Sequence, residues 1–298
     1  RVTIGAVPKP MTMTALLIAY REVLVSSLIL TLAFFVLEQW RPAARIQIAS
    51  DRLANLLYLP LVLGWTFALQ VLLQPLYASA ITVARGGVWT HLQRSRASLG
   101  TDLLLTVAFA ILWDVWQYWI HRWQHTWPLL WETHKFHHSD TALNATSQSR
   151  HHALSYVVYM VSYAPMLLLF GTFTPHVVAS VLMFRLWGFV NHANVRVRFG
   201  PLTTLIAGPQ WHRIHHSIRP EHRHTNFAAL FPFIDRLFRT YYAPAPDEYP
   251  PTGLLPNEES ILRQATISPL AGWGTSIRAF VRRARSRSPA RPNSQATA

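Results

Sequence analysis

The stretch LANLLYLPLVLGWTFALQVLLQPLYASAITVA, residues Leu53 to Ala84, runs for 32 residues without a charged side chain. A helix that crosses the hydrocarbon core of a bilayer needs about 20 apolar residues. The stretch is therefore long enough for one long spanning helix or for a tight pair. Pro60 and Pro75 lie inside it and would bend or divide a helix. This stretch predicts an integral membrane protein.

Three further apolar segments extend this prediction. Val23–Leu37 is short but continues toward the N-terminus beyond one arginine, and Leu103–Ile120 contains a single charge, Asp114. Ala153–Val190 holds two shorter apolar stretches, the second with Arg185 near its end, and fits a tilted or partly inserted hairpin. We therefore expect an all-α membrane bundle of about four membrane-embedded segments.

The composition agrees with a membrane protein and excludes several other classes. Hydrophobic residues make up 51% and charged residues only 13% of the 298 residues, about half the charged share of an ordinary soluble protein. The absence of cysteine excludes disulfides, thiolate metal sites and a cysteine nucleophile. The formal net charge is +14, but no nucleic-acid-binding pattern accompanies it, so we expect no nucleic-acid partner.

Nine of the 15 histidines fall in four short motifs. On a helix, side chains at i and i+4 share one face, and a residue at i+3 lies beside them. Imidazole is the commonest metal-binding side chain near neutral pH. Nine candidate ligands are more than one ion takes and suit two ions held close together. The motifs are His121-Arg-Trp-Gln-His125, His134-Lys-Phe-His137-His138, Asn191-His192 and His212-Arg-Ile-His215-His216.

Residue chemistry alone leaves the metal and its use open, because imidazole suits zinc, copper, iron and nickel. Two metals with open positions favour oxygen chemistry, and a dizinc membrane hydrolase is the alternative. A non-enzymatic metal-binding or transport protein is a third possibility, although transport sites usually lie at the bilayer midplane. Most arginines fall on the face that would carry the histidines, so the positive-inside rule predicts a cytoplasmic catalytic cap.

The order and content of these motifs resemble the fatty acid hydroxylase/sterol desaturase superfamily. The resemblance covers about Asp102 to Tyr242, and its HxxxH first box is more similar to the sterol-desaturase and alkylglycerol-monooxygenase-like branch. The residues that carry it are Asp114-Val-Trp-Gln-Tyr118-Trp-Ile-His121-Arg122, His134 to Asp140, His192-Ala-Asn, Trp211 to Ser217, Pro220-Glu221-His222, Asn226 and Asp235-Arg-Leu-Phe.

The resemblance implies an O2-dependent membrane oxidoreductase with two iron ions, which zinc could replace in purified protein. The lipid substrate could be of sterol, fatty acyl, carotenoid or alkylglycerol type, and hydroxylation, desaturation and ether cleavage all remain open. No haem segment or dinucleotide-binding pattern is present in the sequence, so electrons would come from a separate ferredoxin, cytochrome or reductase. The metal ligands it implies are His121, His125, His134, His137, His138, His152, His192, His212, His215 and His216.

Four more residues are candidates for supporting these ligands from a second layer. Asp114 shares a helix face with His121 and could accept a hydrogen bond from the ring N–H of a ligand histidine. His222, Asn226 and Asp235 follow the last histidine motif and complete the set.

The domain organisation follows from these features. We expect N-terminal membrane helices over residues 1–100, a catalytic domain over 101–245 with its hairpin at 153–190, and a Pro- and Arg-rich tail over 246–298. The composition of Arg278–Ala298 predicts disorder at the end of that tail. We expect a multi-pass protein, for which a bacterial inner membrane is the predicted location.

Overall fold

The protein is a bundle of helices, seen in a computed structural model that describes residues 12–45, 47–84, 98–170, 175–254 and 259–287. These residues form no β-strand and contain two isolated β-bridges. This architecture confirms the predicted all-α class. The α-helices are α1 (Met13–Trp40), α2 (Ala49–Ala84), α3 (Leu99–Thr126), α4 (Pro128–His138), α5 (Ala153–Phe170), α6 (Pro175–His192), α7 (Pro209–His215), α8 (Phe233–Leu237), α9 (Ile261–Thr266) and α10 (Ser268–Arg287); three short 3-10 helices cover Ala145–Ser149, Gly200–Thr204 and Pro220–His222.

Helices α1, α2 and α3 are long and apolar enough to cross a membrane. Their outer faces leave large aliphatic side chains uncovered, including Leu32, Leu61 and Leu104, each more than 60% exposed. Such a surface would be unfavourable in water and is the surface that lipid tails cover. Pro60 and Pro75 both lie inside α2, so the predicted stretch forms one long helix rather than a pair.

Helices α5 and α6 occupy the segment predicted as a hairpin, with the intervening residues 171–174 outside the described chain. Each helix has 18 residues and is about 27 Å long. Helix α5 packs along α2, and α6 packs along α3 and also contacts α1. The five helices therefore surround a common interior, and α6 brings His192 at its end to the same side of the bundle as α4 and α7.

Buried Glu38, near the end of α1, connects this helix to α2 and to two segments later in the chain. Its Oε1 accepts the backbone N–H groups of Ala145 and Asn194, each at 2.8 Å. Its Oε2 pairs with Arg52 of α2 at 2.7 Å. A buried carboxylate is tolerated when it is paired and hydrogen-bonded in this way. The contacts fix the ends of α1 and α2 relative to the loops beside α4 and α6.

The C-terminal part contains more helix than the composition predicts. Helix α10 continues to Arg287 and packs along α4, and Trp273 donates its indole N–H to the Leu129 carbonyl at 2.7 Å. Arg278–Arg287 continue a helix whose first turns Trp273 connects to α4, whereas the composition predicted disorder from Arg278. The prediction for residues 288–298 lies outside the described residues.

Candidate metal centre

Five histidines from three helices form a first cluster. Helix α3 supplies two of them at i, i+4, helix α4 supplies two more at the same spacing, and α7 supplies one. One ring nitrogen from each lies within 4.8 Å of the corresponding nitrogen of every other member. The members of the first cluster are His121, His125, His134, His138 and His215.

A second cluster of four buried histidines adjoins the first, with His137, His192, His212 and His216 as its members. Its Nε2 atoms converge: that of His192 lies 3.1 Å from that of His137 and 3.3 Å from that of His212. The Nε2 atoms of His212 and His216 are 3.1 Å apart. Separations near 3 Å are expected between nitrogens bound to one ion at about 2.1 Å.

The two HxxHH motifs interlock across these clusters. In the first motif, His134 and His138 face the first cluster, whereas His137 faces the second. In the second motif, His212 and His216 belong to the second cluster and His215 belongs to the first. The i, i+4 pair shares a helix face while the i+3 residue points to one side, so each motif reaches both clusters. The clusters touch at His138 and His216, whose ring centroids are 4.3 Å apart.

The hydrogen bonding of the ring nitrogens indicates whether metal ions fit these clusters. The Nε2 atoms of His121, His125, His138 and His215, and both ring nitrogens of His134, are buried without a hydrogen-bond partner. Buried polar atoms without partners are costly and rare in proteins. A metal ion accepts the lone pair of one unprotonated nitrogen from each ring and removes that part of the cost. The donor set therefore fits two ions that favour imidazole, including iron and zinc.

Backbone carbonyls orient three of the rings. His121 Nδ1 donates to the Phe227 carbonyl at 2.8 Å, and His215 Nδ1 donates to the Thr225 carbonyl at 2.8 Å. His192 Nδ1 donates to the Gly188 carbonyl at 2.7 Å. Because a carbonyl can only accept, each contact fixes the proton on Nδ1 and leaves the Nε2 lone pair facing the cluster. The sequence motifs gave no sign of these carbonyl contacts.

Two buried carboxylates hold the loop that supplies two of these carbonyls. Asp235 accepts the N–H groups of Phe227 and Ala228 at 2.7 and 2.9 Å, and burial raises the pKa of its carboxyl to about 6. Asp114 was predicted to accept a hydrogen bond from the ring N–H of a histidine, but its hydrogen-bond donors are different. Its oxygens accept three backbone N–H groups, those of Ala229, Leu230 and Phe231. Asp114 therefore acts on the loop and through it on the histidines.

Asn226 lies between the two carbonyls that orient His121 and His215. It has a positive φ of 60°, a conformation in which asparagine is more common than most residues. Its amide donates to the Trp211 and Tyr242 carbonyls, and its oxygen accepts the Tyr242 N–H at 2.8 Å. Asn226 thus stabilises the turn beside the clusters.

His152 does not join either cluster, contrary to the prediction. Its Nε2 lies 3.2 Å from the Thr266 carbonyl, and its Nδ1 accepts the Leu154 N–H at 3.1 Å. The neighbouring His151 instead stacks on His137, with ring centroids 4.3 Å apart, and its buried Nδ1 has no partner. The two residues lie in the short connection between a 3-10 helix and α5, and of the two only His151 lies against a cluster histidine.

His222 contacts a carboxylate and a tyrosine, and its predicted supporting role stays a prediction. Its Nε2 lies 3.1 Å from Glu248 Oε1, and its ring packs against Tyr242 at 4.7 Å. These contacts fix the loop that follows the last histidine motif. His222 therefore connects two loops.

Burial keeps the cluster histidines outside the membrane helices neutral. It lowers the pKa of His134, His137 and His138 well below 6.5, and the neighbouring histidines lower it further. The same causes lower the pKa of His215, and burial lowers that of His151 to about 3. Neutral imidazole is the form that binds a metal ion. The clusters are therefore ready to bind metal across the physiological pH range.

A cavity of about 450 Å³ lies between the membrane helices and reaches both clusters. Its walls include His121 and His137, and most of its lining is apolar or aromatic. Three tyrosines of α5, Tyr156, Tyr159 and Tyr163, line one wall, and Tyr159 donates to Gln124 at 2.8 Å. The volume falls in the range of pockets that bind small ligands.

A second cavity, of about 400 Å³, borders the first cluster at His125, His138 and His215. Arg223 and His224, both exposed, are also part of its lining. The first cluster is therefore bordered by an apolar cavity between membrane helices and by a polar one beside exposed loops.

Residues 106–240 match the family model described as "Fatty acid hydroxylase". This segment of the chain is therefore similar to the fatty acid hydroxylase family. It contains all nine histidines of the two clusters and His151. The predicted resemblance to this superfamily is therefore confirmed.

Curated relatives match the same part of the chain. Alkylglycerol monooxygenase of Danio rerio is 32% identical over 45% of this chain and 30% of its own length, and that of Homo sapiens is 30% identical over 44% and 29%. Ornithine lipid hydroxylase OlsE of Rhizobium tropici is 29% identical over 43% of this chain and 38% of its own length. The chain thus spans about a third of the length of the relatives it matches. No solved structure matches it significantly.

Proposed function

We propose that this protein is a membrane oxidoreductase that uses O2 and two histidine-bound iron ions to hydroxylate a lipid. The observation that carries the proposal is the position of two adjoining histidine clusters at the end of an apolar cavity between membrane-length helices. The first cluster has buried ring nitrogens without partners, and the Nε2 atoms of the second converge on one another. The family match and the names of the relatives, which include lipid hydroxylase and monooxygenase, support it.

In this proposal the first cluster holds one iron and the second cluster holds the other. His151 is the additional ligand that we assign to the second ion, because its ring stacks on His137 and lines the same cavity. A bound iron pair supplies the activation of O2 and the oxidation of a C–H bond. The protein positions the metal ions and the lipid, surrounds them with its electrostatic field and keeps water away.

The residues of the chain bind the lipid and exclude water. The cavity is lined by side chains of α1, α2, α3, α5 and α6, so a lipid can reach it from the bilayer without crossing water. An apolar enclosure protects reactive oxygen chemistry from side reactions with solvent. The carbonyls of Phe227 and Thr225 keep His121 and His215 in one tautomer, and the Asp114 and Asp235 carboxylates keep those carbonyls in place.

A separate protein would supply the electrons, and the membrane orientation would place the clusters on the cytoplasmic face, in a bacterial inner membrane. The second cavity offers an approach to the first cluster from outside the helix bundle, beside Arg223 and His224. We propose that the electron donor docks there. This part of the proposal rests on the position of the cavity and on the excess of arginine on that face.

The test begins with metal analysis of protein purified in mild detergent from cells grown on iron-57. We expect about two irons per chain and a Mössbauer signature of a coupled pair. His137→Ala and His215→Ala remove one ligand from each cluster and should lose both metal and turnover, whereas His152→Ala serves as the matched control. Substrates for the assay are an alkylglycerol and an ornithine lipid, with and without O2.

The outcome separates the proposal from its alternatives. Product that forms only with O2 and reductant, and that disappears in both cluster variants, supports the oxygenase. Lipid cleavage by zinc-loaded protein without O2 would instead favour the hydrolase. Full turnover in His137→Ala or His215→Ala would refute the assignment of the clusters.

A further inference from the structure

Arg185 is a cation inside the membrane bundle that the proposed chemistry does not use. It lies on α6, lines the apolar cavity and is half-buried. Its guanidinium reaches the middle of α1, where Nη2 donates to the Val23 carbonyl at 2.8 Å and to the hydroxyls of Ser26 and Ser27 at 2.9 and 2.6 Å. Ser27 lies near the centre of a helix long enough to cross the bilayer.

The guanidinium has no anionic partner in the described part of the chain, since no carboxylate there forms an ion pair with it. A charge at this depth is costly, and arginines within membrane helices usually mark a functional site. All three of its hydrogen bonds come from Nη2. The fork of the guanidinium therefore has further N–H donors, on Nη1 and Nε, for a group in the cavity.

The position of Arg185 relative to the clusters indicates how a ligand would lie. Arg185 and His192 are seven residues apart on α6, which places them on the same helix face and about 10 Å apart along its axis. The cavity that contains Arg185 also contains His192, His137 and His121 in its lining. A chain held at one end by Arg185 would thus extend through apolar space toward the clusters.

We propose that Arg185 anchors the oxyanion of a single-chain lipid, a fatty-acid carboxylate, whose hydrocarbon chain runs through the cavity toward the histidines. A carboxylate matches the planar fork of the guanidinium and removes the cost of the unpaired charge. A cavity of about 450 Å³ has the volume of a small-ligand pocket and suits one chain rather than a two-chain phospholipid. Only the direction of the chain toward a reacting centre rests on the proposed function.

Binding of hexadecanoate and of methyl hexadecanoate to the purified full-length protein at pH 8 tests the proposal. We expect the carboxylate to bind about tenfold or more tightly than its ester, because the ester loses a charge-assisted contact. Arg185→Met should bring the two affinities together, and Arg185→Lys should keep part of the difference. Arg21→Met, which removes an exposed arginine from α1, is the control and should keep all of it.

The ratio of the two affinities is measured within each protein. A variant that merely folds poorly weakens the apparent binding of both ligands equally and leaves their ratio unchanged. A preference for the carboxylate that survives in Arg185→Met would mean that metal ions or another group hold it, and would overturn the proposal. Equal affinities in the unsubstituted protein would overturn it too. An Arg185-dependent preference for hexadecyl phosphate alone would exclude the carboxylate as the ligand.

The result is independent of turnover. If binding depends on Arg185 while no lipid is oxidised, the proposed function fails and the anchor remains. If lipids are oxidised but Arg185→Met leaves the affinity ratio unchanged, the anchor fails and the proposed function remains.

Discussion

Replacing Asp114 with asparagine tests whether the carboxylates of the protein act on the metal centre through the loop at residues 225–231. One oxygen of Asp114 accepts the Ala229 N–H at 2.8 Å, and the other accepts those of Leu230 and Phe231 at 2.9 and 2.7 Å. Asparagine keeps one accepting oxygen and turns an NH2 group toward the remaining N–H. At least one buried donor then lacks an acceptor.

The structure sets the size of the effect. One unsatisfied buried N–H and the weakening of the other two bonds should cost about 2–4 kcal/mol of folding free energy. That loss corresponds to a fall in the melting temperature of roughly 5–10 °C. The loop orients His121 and His215, which both belong to the first cluster. Metal content should therefore fall from about two ions toward one per chain.

Thermal unfolding in detergent and metal analysis measure both effects on the same preparation. Asp247→Asn is the matched control, because the Asp247 side chain is 88% exposed and pairs only loosely with Arg196 at 3.4 Å. If Asp114→Asn melts with the control and retains both metal ions, the loop does not control the first cluster and the reasoning is refuted.

Three further outcomes are expected. His151→Ala should lower metal content at least several-fold more than His152→Ala, and equal losses would contradict the assignment of His151. The melting temperature of metal-free protein should fall as the pH drops from 7 to 5. The buried histidines keep pKa values below the 6.5 of the unfolded chain, so the unfolded state binds more protons in this range. A melting temperature that does not change with pH would contradict this. Arg223→Glu should raise the KM for the electron-donor protein about tenfold while leaving turnover with a chemical reductant unchanged.

The sequence predicted the membrane bundle and the histidines well because both signals are local. An uncharged run of 32 residues has few uses other than a long membrane helix. Motif spacing also indicated the nine histidines that the structure brings together in two clusters, since i, i+4 pairs share a helix face. The division of each HxxHH motif between two clusters follows from the same geometry, but it requires knowing where the partner helices lie. That information is not present in any one motif.

The failures of prediction share a different cause. His151 and His152 are neighbours in a short connection between two helices, and composition does not decide which of them faces the clusters. Asp114 was assigned to the correct helix face, but its partners come from a loop more than 110 residues further along the chain. Contacts of this kind depend on the tertiary path of the chain, which local patterns do not specify.

The loop at residues 225–231 explains why the site needs buried carboxylates at all. Phe227, Ala228 and Ala229 line the apolar cavity, while the Phe227 carbonyl orients His121. An irregular backbone beside an apolar cavity has N–H groups that water cannot reach, so the protein must satisfy them itself. Asp114 and Asp235 satisfy five of them. The carboxylates therefore allow a single loop to form a wall of the apolar cavity and to orient a histidine of the first cluster at the same time.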